Sequence, residues 1–194
     1  MTTAIQPMTL EDYLNHDLGS DSFYELVNGE LVEMPSESDL NHLIAIALMF
    51  AFGQFVPSFL LRNKTEIVVS GSRATTRVPD LMVLTEKLAE ALTGSTRSIV
   101  LLDMPSPLLV VEVVSPGTDR ANRDYRYKCS EYAARGILEY WIADPIAAQV
   151  TVLTLVSGLY EAAVFKGNEA VVSPIFPALT LTAEQVLQPG GQSL

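Results

Sequence analysis

Apolar residues recur along this chain at two different periods, and the switches between those periods mark out its elements. FYELVNGELVEM holds two short apolar-rich runs around Asn28-Gly29, the strongest short signal for a hairpin turn. TEIVVSG, VPDLMVL and the run from Pro107 to Val114 predict strands. LEYWIAD, AQVTVLTLV, LYEAAVF and EAVVS predict further strands, with Ser157-Gly158 and Gly167-Asn168 as turns. Helices are expected in five places. Thr9 to Asp12 reads as a capping box at the start of a short one. A long apolar helix follows Asp39 or Asn41 as cap and ends near Pro57. Short helices are expected near Thr85 to Leu92 and Ala183 to Leu187. Arg123 to Arg135 forms another, closed by Gly136. Strands and helices mixed in this order predict an α/β or α+β fold, a mixed central sheet flanked by helices, with extra β-hairpins.

At 194 residues the chain is expected to form a single domain spanning 1–194. Residues 43–52 form the longest apolar run, about half the roughly 20 residues a membrane span requires, so no membrane partner is expected. The lone Cys129 excludes an internal disulfide framework. Together with the absence of a signal-peptide pattern at the start, it points to the cytoplasm. The formal net charge of −11 argues against a simple nucleic-acid coat protein. Yet Arg120, Arg123, Arg126, Lys128 and Arg135 gather five of the twelve basic residues into sixteen positions; a solvated helix face would have the same pattern.

Two strands carry an acid where apolar character is expected. Asp80 follows Pro79 at a strand entrance and faces the same way as Met82 and Leu84. Glu112 sits mid-strand between Val110 and Val114 on its own face. A bare carboxylate in an apolar strand is costly unless something pairs with it. If the two strands are neighbours, both carboxylates converge on one point, and hard oxygen ligands completed by waters describe a Mg²⁺ (or Mn²⁺) site. On the other reading, Asp80 is a strand-end cap and Glu112 a structural ion pair. The following helix bears on the choice. Tyr125, Cys129, Tyr132 and Ala133 make its inward stripe, and Lys128 borders that stripe, able to lay its stem on the core and carry its ammonium to a polar pocket. Two acids, a metal and a lysine suffice for phosphodiester hydrolysis.

VPDLMVL, then VVEVVSPGTDR, then YRYKCSEYAARGILEYWIADP, preceded by FYELVNGELVEMPSESDLNH, resembles the Uma family of bacterial putative endonucleases. That family lies within the PD-(D/E)xK restriction-endonuclease-like superfamily, and the resemblance runs from about Met8 to Leu187. It implies a restriction-endonuclease-like core, DNA as substrate and Asp80 and Glu112 as the metal-binding carboxylates. The superfamily's lysine two residues after the acid is replaced here by Val114, and the family's migrated lysine maps to Lys128. Glu25 matches the family's early acid, with a role in completing the site or holding a metal-bound water, or as a solvent-facing acid. His42 matches a histidine near the long helix, with a site role or a capping one. Asp144 reads as a turn residue, and Tyr140 and Trp141 as core or interface aromatics. Superfamily enzymes often act as dimers, so a homodimer is expected. The competing function is a catalytically inactive nuclease-fold protein that serves as a nucleic-acid or protein binding module, favoured by the acidic charge and the absent in-strand lysine.

Overall fold

Asn28 and Gly29 both adopt positive φ, 53° and 82°, in the computed structural model. They close β1 (Tyr24–Val27) onto β2 (Glu30–Glu33), as the sequence predicts. The structure describes residues 7–16, 24–34, 36–69, 74–115 and 124–190, with only the backbone of residues 124 and 125. Before this hairpin, α1 (Leu10–Asn15) starts with the expected reciprocal capping box of Thr9 and Asp12. After it comes α2 (Asp39–Phe52), whose cap is Ser38 instead of Asp39 or Asn41. The Ser38 hydroxyl accepts from Asn41 N–H, three residues on, at 3.1 Å.

The next two stretches form one long antiparallel hairpin that breaks midway. Its arms are β3 (Leu61–Arg62) and β4 (Glu66–Val69) on one side, β5 (Thr75–Arg77) and β6 (Leu81–Val83) on the other. Leu61 faces Val83, Arg62 faces Met82 and Ile67 faces Arg77, so a single register runs through both halves. At the break β3 and β6 remain in a six-stranded sheet, while β4 and β5 turn into a three-stranded one. Pro79 has no N–H to donate to a ladder, so VPDLMVL is a strand only from Leu81 onward.

Helix α3 (Glu86–Ala91), capped by Thr85, leads to β7 (Ile99–Val100), which pairs parallel with β4. β8 (Leu109–Val113) is buried along its whole length. A π-helical turn, Asp124–Lys128, runs into α4 (Cys129–Arg135). Gly136, at φ 78°, ends that helix in the left-handed conformation expected of a terminal glycine. β9 (Glu139–Asp144), β10 (Gln149–Val156) and β11 (Leu159–Lys166) complete the large sheet, in the order β11-β10-β9-β8-β6-β3. Only β8 and β9 within it are parallel. EAVVS is not a strand: Ala170 bridges Thr182 alone, and the chain then meets Pro174 and Pro177, which cannot donate. α5 (Ala183–Leu187) follows.

The centre of the large sheet is covered on both faces, while its edge strand β11 is largely exposed. Leu81, Val83, Val111, Val113 and Trp141 pack on one side with Ile44, Leu48 and Phe52 of α2 and with Val186 of α5. Met82, Leu84, Val110, Val114 and Ile142 pack on the other with Tyr132 of α4 and Leu88 of α3. This is a mixed α+β fold, as expected. Asp80 and Glu112 fall in the second set by alternation, under α4.

Candidate active site

The pairing of β6 with β8 sets Leu81 opposite Val111. One step further along that register brings Asp80 opposite Glu112, with Asp80 N–H donating to the Val111 carbonyl at 3.1 Å. The two acids therefore lie side by side on the same face of the sheet. Both are buried, at 5% and 4% exposure.

Each oxygen of Asp80 has a donor. Val113 N–H reaches Oδ2 at 2.7 Å and the Lys64 ammonium reaches Oδ1 at 2.6 Å. Lys64 also pairs with Glu37, just before α2, and His42 Nδ1 lies 3.6 Å from the same carboxylate. Burial first, and then the hydrogen bond and negative charge of Glu37, push the Asp80 carboxyl up to about 6 against the pull of Lys64. Burial acts on Glu37 in the same direction, but its hydrogen bonds to Asp80 and Lys64 outweigh it and hold Glu37 below the usual carboxylate range. Burial disfavours the Lys64 ammonium too, yet Asp80 and Glu37 prevail and raise it.

Glu112 is held from α4. The Tyr132 hydroxyl donates to Oε1 at 2.6 Å, and the Lys128 ammonium lies 2.6 Å from Oε2. Burial and the neighbouring Glu112 charge push the Tyr132 phenol far up, so it remains a donor. Lys128, only 4% exposed, also lies 3.8 Å from Glu25 Oε1. Glu25 is not the solvent-facing acid that its place on a hairpin allowed. It is 1% exposed, takes Arg77 Nη1 at 3.0 Å on Oε2 and Val78 N–H at 3.4 Å on Oε1. Arg77 in turn grips Glu131 of α4 with two bonds of 2.7 Å.

Among the described residues, this cluster sets the carboxylates of Glu25, Glu37, Asp80, Glu112 and Glu131 against the cations of Lys64, Arg77 and Lys128. The described members are five acids and three bases, packed together largely out of water. No group of three His, Cys, Asp or Glu among the described residues forms a ready-made metal cage. The donor set nevertheless fits a hard divalent cation, because Mg²⁺ is commonly held by one or two carboxylates with water or phosphate oxygens completing its shell.

Sequence reasoning found Asp80, Glu112, Lys128 and Glu25, and the fold brings all four together. His42, with a half-exposed side chain, touches the cluster only through Glu37. Asp144 serves its turn, accepting from Ile146 and Ala147 N–H at 3.0 and 2.8 Å. Tyr140 and Trp141 are core. Of the basic cluster, Arg126 is exposed and Arg135 donates to the carbonyls of Leu101 and Met104; Arg120, Arg123 and the Tyr125 side chain lie outside the described residues. Lys64, Glu37, Arg77, Glu131 and the Tyr132 hydroxyl went unread. The one signal for Lys64 is the hairpin register, which sets it opposite Asp80 once Leu61 is paired with Val83.

No curated protein matches the chain. Among solved structures, it is similar to a putative nuclease belonging to DUF820 from Anabaena variabilis, at 18% identity and a TM-score of 0.71, over 93% of this chain and 98% of that one. That likeness shows the fold, which is restriction-endonuclease-like. The family model described as Uma2, putative restriction endonuclease, matches residues 10–184. The chain is thus a member of the Uma2 family.

Proposed function

We propose that this protein is a divalent-cation-dependent endonuclease that hydrolyses phosphodiester bonds of DNA in the cytoplasm. The observation that carries the reading is the β6–β8 register that sets Asp80 beside Glu112 on one buried face of the sheet, each with a lysine ammonium at 2.6 Å. These two carboxylates would hold Mg²⁺ or Mn²⁺. Such an ion supplies charge stabilisation at a phosphoryl oxygen and acidifies a water molecule. Lys128 stands beside Glu112, where its ammonium orients the attacking water or steadies charge on the phosphate. Glu25, anchored by Arg77, positions Lys128, and the Tyr132 hydroxyl fixes the rotamer of Glu112. The second reading, an inactive nuclease fold that binds nucleic acid or protein, is favoured by the ion pairs that already satisfy both strand acids.

Incubation of purified protein with supercoiled plasmid separates the two. Nicking or linearisation that requires Mg²⁺ or Mn²⁺, and that disappears in Asp80→Ala, is the expected result. Retained DNA binding with no cleavage under either metal would favour the binding module.

A homodimer belongs to the same proposal. Leu40, Leu43, Ile46 and Phe50 line the outer side of α2 and are exposed. Residues 43–61 carry no charged side chain. On a chain of net charge −11, this is a face on which two copies meet without like-charge repulsion.

A further inference from the structure

The broken hairpin holds a feature that the nuclease reading does not use. Lys64 lies at the break between β3 and β4, and the register shared by both halves puts it opposite Asp80, which is itself opposite Glu112. The three form one row across adjacent chain segments. Lys64 has φ of 53°, a left-handed conformation that is unfavourable for a non-glycine residue and persists where the surroundings impose it. Here the surroundings do impose it. Asn63 Nδ2 donates to the Asp80 carbonyl at 2.8 Å, which clamps the turn to the main chain of the very residue whose side chain Lys64 holds. The ammonium ends on Asp80 Oδ1 at 2.6 Å, with Glu37 as its second partner.

Lys128 has the same arrangement around the other strand acid. Its ammonium lies 2.6 Å from Glu112, and a second acid, Glu25, lies 3.8 Å away. Each strand carboxylate is thus closed by a lysine that has another carboxylate within reach.

We propose that Lys64 is the resident counter-cation of Asp80 in the metal-free protein, that it competes with a divalent cation for this carboxylate, and that Glu37 receives its ammonium when the cation binds. Lys64 is then a positioning residue that sets metal affinity, acting through Asp80. The inference rests on the reading of Asp80 and Glu112 as cation ligands. It gives a role to a lysine and a glutamate that sit beside Asp80 and that the nuclease reading leaves unused.

The test is Mn²⁺ affinity, read from the loss of the free-ion paramagnetic resonance signal as purified protein is titrated with Mn²⁺ at neutral pH. Lys64→Met removes one positive charge beside the ion and should tighten binding by about tenfold or more. Lys64→Asn should do the same while suiting the left-handed backbone, so the result does not depend on how Met is tolerated there. Glu37→Gln should weaken binding several-fold, because Lys64 then has no charged partner to move to. Unchanged affinity in folded Lys64→Asn and Glu37→Gln would overturn the inference and leave the metal reading standing. Absence of Mn²⁺ binding in the wild type and in both Lys64 variants would overturn both.

Discussion

Asp80 shows how one residue's surroundings become a property of the whole protein. Its carboxyl, raised to about 6, favours the protonated form in the folded state. The stabilisation from that form is fully present below the unfolded value near 3.9 and is lost as pH rises through about 6. In metal-free protein the stability difference between wild type and Asp80→Asn should therefore move against wild type by about 2 kcal/mol between pH 4 and pH 7. Urea denaturation of both proteins across that range measures it, and parallel curves would refute the shift. Millimolar Mn²⁺ at pH 7 should return part of this loss to wild type and none to the variant. Glu112 is the residue most legible from sequence, since an acid at a period-two apolar position demands a partner. Its partners were only half legible. Lys128 follows from the helical wheel, but the Tyr132 hydroxyl looks from sequence like simple packing.

The elements succeed or fail as sequence signals according to how local their causes are. The Asn28-Gly29 turn, the cap at Thr9 and the stop at Gly136 all rest on side-chain or backbone preferences within about four residues, and all appear. The two-residue strands β3 and β7 carry no period of their own and exist because partners across the sheet accept them. Between elements, Arg77 is the tie. It joins β5 to Glu25 of β1 and to Glu131 of α4, and it is 1% exposed. Arg77→Met would take the guanidinium from buried Glu25 and from partly buried Glu131, a loss of about 3 kcal/mol in urea denaturation. A loss below about 1 kcal/mol would mean that water or another base replaces it. Because the same tie sets where α4 sits, the variant should also weaken Mn²⁺ binding.

At the scale of the molecule, the central strands β6, β8 and β9 are buried on both faces and mostly apolar, so a charge such as Glu112 inside them stands out. α2 differs in being apolar outside as well as inside. Sedimentation equilibrium of the wild type should give twice the chain mass, and the double substitution Leu43→Lys with Phe50→Lys should give a folded monomer. A wild-type monomer at every concentration would remove the homodimer from the proposal. Among the described residues no helix is long and apolar enough to cross a membrane, in keeping with Gly53 and Pro57 cutting the apolar run short.

The sequence by itself determined the helices and most of the longer strands, though not EAVVS or the short β3, β5 and β7, and that Asp80, Glu112, Lys128 and Glu25 are the residues to explain. Hydrophobic period, caps and turn chemistry act over a few residues and are written in order along the chain. The tertiary structure alone decided that Lys64 faces Asp80, that Glu37 shares it, and that Arg77 lies between Glu25 and Glu131. Those contacts join residues 16 to 54 positions apart. They follow from strand register and from the break at Pro79, which no local pattern encodes, because register is fixed only when the apolar faces of separate strands are buried together.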